Sequence, residues 1–236
     1  MAKEKKTIIF IVEGLSDKTA LENIFKKIYR RNKEIDFGFT NGDITSDTTV
    51  TVANVENRIY ETVQKVVKDK KLKNSDVIQI VQIFDMDGAY IPESAILSGT
   101  TYAFEYSTTN ISCVSPERVI ERNKYKRDIL EYLLNRTMIK SFPYEMYFMS
   151  CNLDHALYNE INLDKDLKQE YADKFYEKFL GKEYLFPAFL ESDVVNEVPD
   201  NMGASWTYIK KGLHSLERHT NLHIYFKTHP NPDGLL

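Results

Sequence analysis

The chain has little of what would place it outside the ordinary cytosolic class. Cys113 and Cys151 are its only cysteines in 236 residues, which leaves no disulfide framework and fits a reducing compartment. No apolar run approaches the length that crosses a bilayer. The charged start, Met1-Ala2-Lys3-Glu4-Lys5-Lys6, leads into six apolar or weakly polar residues before Glu13, too short for a signal-peptide core. Strong charge of one sign is also missing. The formal net charge of −4 is not the basic profile that announces a nucleic-acid binder, although a local basic patch can serve where the total does not. Internal repeats, low-complexity tracts and a Gly-x-x-x-x-Gly-Lys-Ser/Thr loop are absent too. A soluble, cytoplasmic protein without membrane contact is expected.

What is present is an ordinary core composition, 42% hydrophobic, and two segments of unusual shape. Ile8-Ile9-Phe10-Ile11-Val12 and Val81-Gln82-Ile83-Phe84 are apolar runs that end abruptly, in Glu13-Gly14 and in Asp85-Met86-Asp87-Gly88. Short runs rich in Ile and Val read as strands buried on both faces of a parallel sheet. Helices are expected over 17–31, with Leu21, Ile24, Phe25 and Ile28 on one face, and over 54–71, separated by a short strand at 49–53. The order β-α-(β)-α-β favours a mainly parallel α/β sheet flanked by helices. A polar loop over 88–115, a long helix over 115–136 and a third strand over 144–149 follow. Beyond them lie helices over 164–180 and 205–217 and a closing strand over 222–226. The division expected is an α/β catalytic domain, 1–160, with a mostly helical C-terminal lobe, 161–236. The tyrosines of the second half (Tyr144, Tyr147, Tyr158, Tyr171, Tyr176, Tyr184) read as filler of a helical interface.

Acids placed just past strand ends stand at the carboxyl edge of the sheet, where open α/β folds build their sites. Glu13, Asp85 and Asp87 repel one another there unless a cation or bound protons offset their charge. Mg²⁺, or Mn²⁺, is the simplest such cation, because it takes a few carboxylates and leaves room for water and phosphate oxygens.

The pairing of Val12-Glu13-Gly14 with Asp85-Met86-Asp87 on a later strand resembles the Toprim family. That family includes topoisomerases, bacterial primases, a ribosomal-RNA maturation nuclease and OLD-type nucleases. The resemblance covers about residues 7–155 and implies a Toprim-like sheet in which Glu13, Asp85 and Asp87 hold Mg²⁺ for phosphodiester chemistry on RNA or DNA. Glu13-Gly14-Leu15-Ser16-Asp17 also resembles the two-metal branch, which carries an acid four residues after the Glu. Asp17 is therefore either a further metal ligand or a helix cap worth about 1 kcal/mol. Asn152-Leu153-Asp154-His155 falls where that branch has further acids. Asp154 is expected to complete the catalytic set, with helix capping as its alternative. His155 is expected to pack, with general acid as its alternative. Small chains of this kind resemble phage-defence effectors, which implies a separate ATPase partner and allows a homodimer.

Phe84-Asp85-Met86-Asp87-Gly88 read alone also resembles the first motif of haloacid-dehalogenase-type phosphatases, with Asp85 as nucleophile. That reading leaves Glu13 without a role. A module that binds a metal or nucleotide without turnover is the third alternative. A catalytic cation is sought among Lys18, Lys124, Lys210 and Lys211. The basic runs over 26–31, 65–73 and 118–127 read mostly as solvated helix faces. His219, His223 and His229 lack the Glu of a His-Glu-x-x-His helix and do not read as a zinc site.

Overall fold

The computed structural model describes residues 6–30, 32, 35–42, 44–45 and 47–230. The uninterrupted Ile-Ile-Phe-Ile-Val run forms β1 (Lys6–Val12), with Ile9, Phe10 and Ile11 wholly enclosed. Such a strand needs cover on both faces, and alternation supplies it. Phe10 packs its ring against that of Phe25 of α1 (Leu15–Ile28), with centroids 4.8 Å apart. On the other face, Ile9 and Val66 of α2 (Val55–Asp69) both approach Gly38.

Gly38 belongs to β2 (Ile35–Asn41), which pairs parallel to β1. β3 (Val77–Asp85) lies on the other side of β1, also parallel. β8 (Phe142–Met149) continues the sheet in parallel beside β3, and the short β7 (Met138–Ile139) closes that edge antiparallel. The order is β2-β1-β3-β8-β7, a mostly parallel sheet in an α/β fold. The chain leaves β1 toward one side for β2 and returns past it for β3. The strand order therefore reverses between β1 and β3, and open α/β sheets bind ligands at such a reversal.

The strand expected at 49–53 is not formed; those residues are turns, and the strand lies earlier, at β2. Its alternation (Ile35, Phe37, Phe39) is diluted by an interior Gly38 where a Cβ would come within 3.0 Å of Val66. The expected loop over 88–115 contains a second small sheet of β4 (Ile96–Ser98), β5 (Glu105–Tyr106) and β6 (Ile111–Cys113), in the order β4-β6-β5. α3 (Pro116–Leu134), opened by its proline, lies beside α2, where the Tyr132 hydroxyl donates to Glu56 over 2.7 Å.

After β8 come α4 (Leu153–Tyr158), α5 (Lys168–Phe179), α6 (Phe186–Phe189) and α7 (Met202–Ile209). The strand expected at 222–226 is instead α8 (His223–Thr228). Leu222, Ile224 and Phe226 alternate, but Leu222, Tyr225 and Phe226 fit a helical period as well, and five residues cannot separate the two. Only Thr220 bridges to Met149 in the manner of a strand. Tyr225 packs on Phe10 at 5.2 Å and on Tyr147 at 5.8 Å, so residues beyond 160 belong to the same continuous core as the sheet. Both cysteines are buried free thiols, and among the described residues no helix is long and apolar enough to cross a membrane.

Candidate active site

Glu13 follows β1 and Asp85 ends β3, so the two face the crevice where the strand order reverses. Glu13 Oε1 accepts the backbone N–H of Asp85 at 3.2 Å and the hydroxyl of Thr45 at 2.8 Å. Asp85 Oδ1 accepts from the backbone N–H of Leu153, the first residue of α4, at 2.9 Å. One strand end thus ties Glu13 to Asp85, and Asp85 in turn fixes the start of the helix that carries Asp154.

Asp87 is brought round by a tight turn. Its φ is +49° and that of Gly88 is +66°, a left-handed pair that Asp tolerates and Gly adopts freely. The turn is held from outside by N–H bonds from Asp87 to the Cys151 carbonyl (2.6 Å) and from Gly88 to the Ser215 carbonyl (3.1 Å). A side chain at position 88 would meet Leu216 at 2.7 Å and Ile111 at 2.8 Å.

Asp17 is not the N-cap residue itself, but it caps the start of α1 from the third position, in line with the capping alternative. It is the third residue of α1, its Oδ2 accepts the Gly14 N–H at 2.8 Å, and it is buried. Burial raises its pKa, with a contribution from the nearby charge of Asp154. Asp154 sits in the first turn of α4, 2.6 Å from Lys168 Nζ. Its second oxygen, Oδ1, is buried with no hydrogen-bond partner. A carboxylate oxygen is rarely left so without a ligand or water. Asn152, not Asp154, caps α4 by accepting the His155 N–H at 2.8 Å. His155 is packed away as expected, and burial holds its pKa down to about 4. An imidazole so tuned is neutral near pH 7 and has no proton to offer a leaving group.

The cations are the part that the sequence reading placed wrongly. None of Lys18, Lys124 and Lys210 faces the acids; they pair with Glu22, Asp128 and Glu131. Lys126 does. It is fully enclosed on α3, its ammonium 3.6 Å from Glu13 Oε1 and in contact with Asp87 Oδ2. One turn earlier Arg122 donates to the Asp87 carbonyl (2.8 Å) and to the Tyr106 hydroxyl (2.7 Å). The run 118–127 is therefore not a solvated face: Arg122, Asn123, Lys126 and Arg127 all turn toward the 87–89 backbone or the acids. The i, i+4 spacing of Arg122 and Lys126 on a helix that follows the motif was the available signal.

The electrostatics follow from this arrangement. Burial, then the charges of Glu13, Asp17 and Asp87, push Asp85 well above the usual carboxylate range. Burial acts the same way on Asp87, but Lys126 and Arg122 outweigh it and hold Asp87 low. The acids in return raise Lys126 against its own burial, so it stays charged. Five carboxylates (Glu13, Asp17, Asp85, Asp87, Asp154) outnumber the three cations among them (Arg122, Lys126, Lys168), an excess that bound protons or a divalent ion would offset. The orphaned Asp154 oxygen and the all-oxygen donor set fit a hard cation such as Mg²⁺. The five acids do not close to 4.8 Å of one another; among the described residues only His214, Glu217 and His219 do. Lys126 fills the gap between Glu13 and Asp87.

Above the acids opens a cleft of about 740 Å³ lined by Asp85, Asp87, Phe104, Tyr106, Asp154 and Lys168, among others. Tyr106 lies in β5 of the small second sheet and Phe104 closely precedes that strand, so the 88–115 segment walls the cleft. Comparison of the chain with protein-family models, with curated proteins and with solved structures finds no match.

Proposed function

We propose that the chain is a Toprim-like, Mg²⁺-dependent nuclease that hydrolyses phosphodiester bonds of RNA or DNA. The observation that carries this is the position of Glu13, Asp85 and Asp87 around the strand-order reversal, beside a buried Asp154 oxygen that no protein group satisfies. Glu13, Asp85, Asp87 and Asp154 would hold the ion, with Asp17 behind Asp154. Bound there, a divalent ion polarises a phosphoryl oxygen and lowers the pKa of an attacking water.

The chain's own residues supply the rest. Lys126 and Arg122 keep Asp87 ionised and therefore able to ligate. Lys168, raised in pKa by Asp154 despite its burial, stays cationic at the cleft and suits a phosphate oxygen. The 88–115 segment carries Phe104 and Tyr106 to the cleft wall, where aromatic rings suit the flat faces of bases. The phosphatase reading is not favoured. It asks Asp85 to attack as a free carboxylate, yet burial and the neighbouring acids push its pKa well above the carboxylate range, and one of its oxygens is bound to the Leu153 N–H. A role in phage defence, a separate ATPase partner and a homodimer rest on the family resemblance alone.

The test uses purified chain with generic single-stranded and structured RNA and DNA, with Mg²⁺ and with chelator. Cleavage should need the metal and should fall by about 10²-fold or more in Glu13→Gln and in Asp85→Asn. Metal-dependent cleavage that survives in Glu13→Gln defeats the proposal. Release of phosphate from a simple phosphomonoester that needs Asp85 but not Glu13 would replace it with the phosphatase reading.

A further inference from the structure

Residues 210–219, after α7, contain no helix or strand, yet much of the site leans on them. The Ser215 carbonyl receives the N–H groups of both Gly88 (3.1 Å) and Cys151 (2.9 Å). The His219 carbonyl receives the N–H of Ser150 (2.8 Å), and the His214 carbonyl its hydroxyl (2.6 Å). Leu216 packs where Gly88 leaves room. These irregular turns therefore brace the two strand ends that present Asp87 and Asp154.

In the same turns three potential ligands meet. His214 Nδ1 lies 2.6 Å from Glu217 Oε2, and His219 Nε2 lies 3.0 Å from that same oxygen. All three donor atoms fall within 4.8 Å of one another. The rings are fixed: Tyr208 stacks on His214 with centroids 4.0 Å apart, and His219 is buried. His214 and Glu217 stay partly exposed, which gives an ion a path in and room for water as a further ligand. Bonds of about 2.0–2.2 Å from imidazole nitrogen and carboxylate oxygen to a tetrahedral ion separate neighbouring ligand atoms by about 3.3 Å. Reaching that spacing from the present one takes only side-chain adjustments of under about 1 Å at each ligand.

We propose that His214 Nδ1, Glu217 Oε2 and His219 Nε2 form a site for one divalent transition-metal ion of the Zn²⁺ class. It is separate from the acidic centre, and it clips the 210–219 turns that brace the Gly88 and Cys151 backbone. The two imidazole nitrogens are borderline donors that favour Zn²⁺ over Mg²⁺, and one carboxylate oxygen is a common third ligand of Zn²⁺. The sequence pattern is His-x-x-Glu-x-His, carried on turns and not on a helix. His223 and His229 take no part: His223 pairs with Asp200, and His229 stacks on Tyr225.

The full chain, stripped with chelator and returned to buffer with excess Mg²⁺ to fill oxygen sites, is titrated with Zn²⁺ against a chromophoric chelator. One equivalent should bind, and His214→Ala should weaken it at least tenfold. His214 is partly exposed, so that variant should keep its circular dichroism, and Zn²⁺ should raise the melting temperature of the wild type but not of the variant. Co²⁺ should give a tetrahedral visible spectrum in the wild type only. Absence of a stoichiometric Zn²⁺ equivalent in the wild type, or equal binding by a folded His214→Ala chain, overturns the assignment. Both readouts are independent of nuclease activity.

Discussion

Replacing Lys126 by Met removes one charge from a well-enclosed ion cluster and leaves most of the volume filled. The Lys126 side chain has no solvent exposure, and Glu13 and Asp87 expose only 14% and 16% of theirs. Solvent cannot take over the lost role. Breaking a buried pair by deleting one partner costs about 3–5 kcal/mol, because the remaining charge stays buried without compensation. For a chain of this size each kcal/mol moves the melting temperature by about 2–4 °C, so a fall of about 6–20 °C is expected in metal-free buffer. Mg²⁺ should restore part of it. An ion present at a hundred times its Kd adds about 2.7 kcal/mol to the native state. It should add more to Lys126→Met than to the wild type, where the ammonium already offsets the same carboxylates. Urea unfolding of both chains, with and without Mg²⁺, measures all four corners. The exposed Lys124→Met is the control and should shift stability by no more than about 0.5 kcal/mol. A Lys126→Met chain within about 1 kcal/mol of wild type without metal would refute the counter-charge reasoning. So would a Mg²⁺ effect larger in the wild type.

Two further outcomes test other parts of the site. Gly88→Ala combines left-handed strain of about 1–2 kcal/mol with overpacking of about 1–3 kcal/mol against Leu216 and Ile111. Gly212 has the same sign of φ but nothing within 4 Å, so Gly212→Ala should show the strain alone; equal losses in urea titrations would mean that position 88 is not crowded. His155, buried and held near a pKa of about 4 against an ordinary 6.5, favours the neutral ring in the folded state. Its contribution is complete above pH 6.5 and is lost as pH falls from there toward 4. The urea midpoint of His155→Leu should therefore decline less over that interval than that of the wild type, and parallel declines would remove His155 from the acid sensitivity.

The acids were legible because they are local. A buried strand that stops at a carboxylate announces both the strand and the edge on which the acid stands, and Glu13 and Asp85 need no more than that. The helices α1 and α2 were legible for a similar reason, each carrying an apolar face, and α3 by the proline that opens it. Legibility failed where a residue's role is set from elsewhere in the chain. β2 is an edge strand weakened by Gly38, and its identity comes from the partner β1 and from Val66 pressing on the glycine. α8 has a pattern that fits either period, and the core packing of Tyr225 decides between them. Asp17 was legible as a cap, and it does accept the Gly14 N–H, but the nearby charge of Asp154 comes from α4, more than a hundred residues later.

The cations show the same limit more sharply, and the reason is physical. An acid at a strand end is placed by its own strand, whereas a counter-charge can arrive from any element that crosses the crevice. Exposure on paper therefore misleads: Lys124 and Lys126 sit in one basic run, two residues apart on one helix. Two residues on a helix are about 200° of rotation, which sends Lys124 to solvent, where it pairs with Asp128, and Lys126 to Glu13 and Asp87. Burying an ammonium is unfavourable on its own, so Lys126 is tolerated there only because the acids are already present. The acids are tolerated in turn because Lys126 and Arg122 offset Asp87, whereas Asp85 is pushed well above the usual carboxylate range and Asp17 is raised with it. That residual imbalance around Asp85 is what an incoming cation would relieve.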